Sequence, residues 1–437
     1  MKTSVDAPLA KANHLAKIEP MPRPQYSSLQ DWIAREAISF TVDSPVELDA
    51  AVDRMIASLG DAIELLGLGE AMHGGAESLA FRNRLFQRLV AVHGYSAIAV
   101  ESSFPRGHIA NEYVAGRGPA SYDAVAEAGF SHGFGRMDGN RELLAWMRQY
   151  NADSAHPVKL SFYGFDGPME MMGTDSPRQL LVFALDYLAS IDAAAVAQRR
   201  ERIESLLGTD ADWENPAAMM DASKSIGQSP AAVALRLATE DLIAEMSIRR
   251  PELIARSDAH RYGEAVHHAM VARQLLNYHA AVAGNSPTRL ADLLGMRDAL
   301  MADNLAYVVA RERDRGKVLA FAHNSHLKRG QAHWQLGSHS ITWWPAGAHL
   351  GEMLAKRYVI IGEAVGVSEG NGIASPEAGA LEVHLLAAPG PARFVPTYAA
   401  RGLADEMPMR SASAKNSTYF PLAPQAVSDF DALLMLS

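Results

Sequence analysis

Glu70 and His73 stand three residues apart in the Gly-bounded turn GEAMHG, directly after the apolar run 62–69 (AIELLGLG). At that spacing the carboxylate reaches one imidazole nitrogen, fixes the tautomer and raises the basicity of the other, which is what a general base needs. A capping pair at a helix start is the plainer use of the same two residues. Comparable groups follow the other short apolar runs. Glu101 and Ser102 come after 97–100 (AIAV), Asp166 after 158–164 (VKLSFYG), and His323 and His326, in HNSH, after 317–322 (KVLAFA). In an open α/β sheet the binding crevice lies beyond the carboxyl ends of the strands, so these residues are expected to meet there. Strand ends are also polar for plain solvation, but two clusters holding three histidines between them ask for more.

Arg82 lies on the segment after the GEAMHG turn, in helical register with Leu85, Phe86 and Leu89, so its guanidinium leaves from the buried face. There it either neutralises an oxyanion or a substrate carboxylate, or forms a buried salt bridge with Glu70, Glu77 or Glu101. His323 and His326 make a His-x-x-His pair; with Glu70 and His73 they would suffice for a metal site, yet the HExxH spacing of zinc proteases is absent and a metal-free site is expected. His260, His267, His268 and His279 fall on amphipathic helical patterns and read as ordinary surface or half-buried imidazoles. The pentapeptide 129–133, GFSHG, fits the nucleophile elbow, and Ser131, Asp166 and His323 follow the chain order of a serine hydrolase triad. An elbow needs an apolar strand just before it, whereas 120–128 (ASYDAVAEA) reads as a short polar helix.

Short apolar runs at 62–69, 97–100, 158–164, 317–322 and 358–362, separated by helical patterns, predict an α/β fold. The specific expectation is a three-layer core with a mostly parallel central sheet. From 176 to 313 little reads as strand: 178–207 lacks Gly and Pro, Ser229–Pro230 is a helix start, and Met301, Leu305, Val308 and Val309 repeat at helical spacing. This predicts a flexible arm over 1–30, core segments at 31–175 and 314–437, and a helical insertion or lid at 176–313. Two late strands are expected at 381–388 and 431–437.

The chain has 437 residues, 48% apolar and 21% charged, a globular composition. It contains no cysteine, which removes disulfides, thiolate zinc sites and a Cys nucleophile and suits a cytoplasmic location. Forty Lys and Arg against fifty Asp and Glu give a net charge of −10 with the basic residues scattered, which argues against nucleic acid as a partner. No run of about 18 consecutive apolar residues points to a membrane, and the N-terminus lacks the apolar core of a secretory signal. The expected partner is a small amphipathic molecule.

LGLGEAMHGGAESLAFRNRLFQRLVAVHGYSAIAVE, 66–101, resembles the opening block of the erythromycin esterase family. WMRQYN at 146–151, FYGFD at 162–166, MRDALMADNLAYVVARE at 296–312, AFAHNSHL at 320–327 and GAHL at 347–350 resemble its later blocks in the same order. The resemblance implies a hydrolase that opens the lactone ester of a macrolide by activating water, without a covalent serine intermediate. By motif position His73 matches the catalytic base, Glu70 its carboxylate partner, Arg82 the basic residue of the site, and His323 and His326 the later pair. Glu101, Asp166 and His349 are expected to contact substrate. Metal dependence is not uniform in the family, and no cofactor is expected here. The chain departs from the family pattern after the Gly129–Phe130 turn, where SHGFGRMDGN replaces an expected aromatic stretch, and in the extra tryptophans Trp334, Trp343 and Trp344. The rival expectations are a serine esterase using Ser131 and a binding protein that sequesters its ligand without turnover.

Overall fold

The computed structural model describes residues 26–170, 173–337 and 339–436, so most of the expected N-terminal arm lies outside the described residues. Its strands are β1 (Ile38–Phe40), β2 (Leu65–Glu70), β3 (Tyr95–Ser103), β4 (Ser161–Asp166), β5 (Met169–Glu170), β6 (Gly173–Thr174), β7 (Lys317–His323), β8 (Ala332–Leu336), β9 (His339–Trp343), β10 (Tyr358–Val365), β11 (Ala392–Pro396) and β12 (Ala432–Leu436). Eight of them form one sheet in the order β1-β11-β12-β10-β2-β7-β3-β4. From β12 to β4 the neighbours are all parallel. β11 runs against β12, and β1 against β11. The remaining strands pair as β5 with β6 and β8 with β9.

β2, β3, β10 and β12 are buried at every position, as parallel strands covered on both faces must be. Alternation along them divides the core in two. Leu66, Leu68, Ile98, Val100, Leu319, Phe321 and Ile361 pack against the helices Pro45–Leu59, Ala76–Val92 and Asp138–Ala152. Leu65, Ala97, Ala99, Val318, Ala320, Ala322 and Ile360 pack against Leu29–Glu36, Arg289–Glu312 and Ala346–Leu354. Helices on both faces of a mostly parallel sheet make the three-layer α/β core.

Among the described residues, no strand lies between Thr174 and Lys317. Ser229 caps the helix Pro230–Ile248 by accepting the Ala232 N–H at 3.2 Å. The helix Arg178–Leu207 is long and apolar enough, by length and composition, to cross a membrane. It breaks at Asp192, where the backbone leaves helical geometry, and buries Leu181, Leu185, Leu188 and Ile203 in a separate helical core. The last helix of the block, Arg289–Glu312, has a double role: Leu293 and Leu300 face that helical core, while Met301, Leu305 and Val308 lie on the sheet.

Two expectations need correction. Residues 381–386 are helix, not strand: LEVHLL can be read as alternation, but the residues it buries are Leu381, Glu382 and Leu385, a helical spacing. His267, His268 and His279 are not surface or half-buried groups but buried core residues.

Candidate active site

The site is assembled at the carboxyl ends of the central strands. β2 ends in Glu70, which pairs in register with His323 at the end of β7. Gly69 permits this closure, because a Cβ there would lie 2.0 Å from Oδ1 of Asn324. On β3 the register with β4 shifts between Val100 and Ser103, at the strand end that carries the buried Glu101 and Ser102.

His73 Nδ1 donates to Glu70 Oε1 at 2.7 Å, and Nε2 lies 3.9 Å from Glu101 Oε1. Its side chain is 24% exposed. The His73 backbone N–H donates to Thr418 Oγ1, which fixes the turn from the C-terminal segment. Burial pushes the His73 imidazole down, but Glu101 and Glu70 outweigh it and the net shift is upward. Burial pushes Glu70 up, with the His73 hydrogen bond acting against it. Glu70 Oε2 is buried without a partner among the described residues. Beside it lies a small cavity lined by Arg82, Glu101, Phe134, Asn140 and Phe321 among others. The free space there is about 10 Å³, room for about one water molecule.

A row of buried charges supports the turn. Arg297 donates from Nη2 to Glu101 at 3.0 Å and to Asp166 at 2.6 Å, and from Nε to Asp166 at 2.9 Å. Burial alone would raise both carboxyls. His326, His73 and Arg297 bring Glu101 well below the usual range, and Arg297 and His132 lower Asp166. The expected substrate contacts Glu101 and Asp166 are thus fully engaged with cations of the protein itself. Arg297 and Asp298 were not foreseen as site residues. Their signal was available, because Arg297 sits four residues before Met301 and continues the apolar face Met301–Leu305–Val308, where a charge must have a partner.

The two HNSH histidines separate in role. His323 Nε2 faces the carbonyls of Ala71 and Thr418, so it carries the proton, while Nδ1 accepts the Ser325 N–H. Both nitrogens are committed, and burial pushes the ring down to about 3. His326 donates from Nδ1 to Asp298 at 2.8 Å and turns Nε2 toward Glu101 at 3.3 Å. Burial works against its charge, yet Asp298 and Glu101 push it up to about 10, so it is a fixed cation near neutrality. Asp298 is held in turn by Trp343 Nε1 and the Ala346 N–H.

Arg82 is buried, as its helical register required, but among the described residues it makes none of the expected salt bridges. Its guanidinium donates to Asn83, Asn140 and the Gly139 carbonyl and covers the Phe321 ring. Burial pulls it down to about 10, with Glu70 opposing. His349 is half-buried on Ala346–Leu354 and has no hydrogen bond to the site among the described residues.

Ser131 is buried; it accepts the Ser103 N–H at 2.9 Å, and its own N–H donates to Ser102. No imidazole reaches it among the described residues, so Ser131, Asp166 and His323 do not assemble as a triad. The neighbouring His132 does reach the site: Nε2 lies 2.9 Å from Asp166 Oδ2. Among the described residues no group of three His, Asp or Glu side chains is arranged to hold a metal ion. Of the set Glu70, His73, His323 and His326, His323 has both nitrogens bonded within the protein and His326 is held by Asp298.

These features define a histidine–carboxylate centre at the carboxyl edge of a three-layer α/β core. The family model for erythromycin esterase matches residues 90–437, and the chain belongs to that family. Erythromycin esterase type II of Escherichia coli is 23% identical over 306 residues, 69% of each chain. A Bacillus cereus protein of known structure superimposes with a TM-score of 0.71 at 19% identity, covering 93% of this chain and 96% of that one. A mutant erythromycin esterase in its open conformation gives a TM-score of 0.68 at 19% identity over 91% and 96%. A structure described as a succinoglycan biosynthesis protein gives 0.68 at 18% identity over 93% and 96%. Family membership implies esterase-type hydrolysis.

Proposed function

We propose that this protein hydrolyses the ring ester of a macrolide-like lactone, with His73 as general base toward water. The observation that carries this is the 2.7 Å bond that His73 Nδ1 donates to Glu70, which leaves Nε2 the basic nitrogen of a ring that is 24% exposed. Water attacks the carbonyl carbon as Nε2 takes its proton, and Glu70 and Glu101 stabilise the imidazolium. The developing oxyanion needs a donor not already committed. Arg82 and His323 have spent theirs, while Nη1 of Arg297 has no carboxylate partner among the described residues and lies 3.5 Å from His326 Nε2, which as a cation has its own proton to give to Glu101 and cannot accept one. His326 adds fixed positive charge behind Glu101.

The test is incubation with a panel of macrolides and simple lactones, followed by mass spectrometry for the gain of one water. His73→Ala is expected to stay folded and lose about 10²–10⁴-fold in kcat/KM. A variant with wild-type kcat/KM would overturn the assignment. A serine mechanism predicts labelling of Ser131 by a fluorophosphonate; its burial and lack of an imidazole partner support no labelling.

A further inference from the structure

We propose that His132, held by Asp166, is a second acid–base group that protonates the departing alkoxide. The inference rests on the ester hydrolysis proposed above and concerns a residue outside the recognised motifs, in the stretch where the chain departs from its family.

His132 repeats the logic of His73. Its Nε2 donates to a carboxylate oxygen at 2.9 Å, against 2.7 Å for His73 Nδ1, and Asp166 is wholly buried. Among the described residues no group bonds His132 Nδ1, and the side chain is 18% exposed. Both rings pack against Phe134, at centroid distances of 5.2 Å for His73 and 5.3 Å for His132. Beneath them Glu101, Arg297 and Asp166 form one continuous ionic row. Two carboxylate-supported imidazoles therefore both lie against the one Phe134 ring.

The backbone is built to hold His132 there. It has φ of +57°, a conformation uncommon for a residue with a side chain and concentrated at functional sites. The constraint is secured on both sides, by Ser131 against Ser102 and Ser103, and by the His132 N–H donating to Glu170 Oε1.

In the proposed step the water oxygen bonds to the acyl carbon and its proton passes to His73 Nε2. The tetrahedral intermediate then collapses and the carbon–alkoxide bond breaks, as His132, entering the step as an imidazolium with its Nε2–H on Asp166, gives its Nδ1 proton to the departing oxygen, and the acid formed releases its proton to water. The products are one carboxylate and one hydroxyl, joined by the remainder of the ring when the substrate is a lactone. Exchange with bulk water returns His73 and His132 to their starting states.

Leaving-group dependence tests this role. Alkyl alkoxides are poor leaving groups and need the proton, whereas a p-nitrophenolate departs with little help. The wild type and His132→Asn are compared on alkyl and p-nitrophenyl esters of one acid; asparagine tolerates positive φ, and His132→Gly serves as a second variant free of that strain. The expected result is a loss of about 10²–10⁴-fold on the alkyl ester, exceeding the loss on the aryl ester by at least about tenfold, with unchanged melting temperature. Equal losses on both esters, or none, in a well-folded variant would overturn the role of His132 while leaving His73 hydrolysis standing. A wild type that cleaves neither ester nor any lactone would remove both.

Discussion

Arg297 grips Asp166 with two parallel bonds, Nε to Oδ1 at 2.9 Å and Nη2 to Oδ2 at 2.6 Å. The arginine comes from the helix Arg289–Glu312 and the aspartate from the end of β4, so the helical block supplies the cation that the strand-end carboxylates share. A planar fork suits this geometry and an ammonium does not.

Arg297→Lys is therefore expected to keep the charge but lower kcat by about 10²–10³-fold through the loss of an oxyanion donor. Arg297→Met goes further, leaving Asp166 and Glu101 buried without their shared counter-charge, which costs about 3–5 kcal/mol. Urea unfolding of the two variants measures the second effect. A loss below about 1 kcal/mol for Arg297→Met would show that the row does not depend on this residue.

The parts of the site that were legible in the sequence are local. Glu70 and His73 lie on one turn, and strand ends mark where Glu101, Asp166 and His323 must emerge. Arg297 and Asp166 are 131 residues apart, and only the unexpected charge on an apolar helical face hinted at their meeting. His132 was hidden by its neighbour, because GFSHG draws attention to a serine that serves only to pin the loop. HNSH could not reveal by itself that His323 braces two carbonyls while His326 stays charged, since the difference comes from Thr418 and Asp298. In the fold, the parallel strands announced themselves as apolar runs. β1 and β11 did not: they are short, and β11 ends in a proline tolerated close to a sheet edge.

The upward shift of His73 fixes the direction of the pH dependence. Protonated His73 cannot accept a proton from water, so kcat/KM should rise with pH through an acid limb lying above the ordinary imidazole value of about 6.5. Glu101 contributes more than any other group to raising it, against the lowering effect of burial. In Glu101→Gln the limb is accordingly expected to move to lower pH on whatever activity remains. An unmoved limb, read from full pH–rate profiles of both proteins, would mean that the titrating group is not His73 or that Glu101 does not act on it.

Buried histidines make a separate prediction about stability. Burial pushes His267 and His323 down to about 3, and His268 and His279 to about 4, so all four stay neutral in the folded protein near pH 6. Each is satisfied as a neutral ring: His267 by Asn304, His268 by the Glu264 carbonyl, His279 by the Asp175 carbonyl, and His323 by Ala71 and Thr418. The unfolded chain takes up protons at these positions below about 6.5, whereas the folded chain does not. Their contribution is therefore complete above that pH and is lost as pH falls, with each group able to remove up to about 1.4 kcal/mol per pH unit. His326 acts on the other side: its folded value is raised to about 10, so its contribution is complete below 6.5 and is lost as pH climbs toward 10. The stability curve should consequently fall toward acid, where these four groups act together, and also toward alkali, where His326 is joined by His73, Glu70 and Glu363, whose carboxyl burial pushes up to about 8. Urea midpoints at pH 5, 6.5 and 8.5 measure the two limbs. A midpoint that holds steady from pH 6.5 to 5 would show that these imidazoles take up protons in the folded state, and that their burial is less complete than the packing around Trp213, Phe183 and Tyr307 implies.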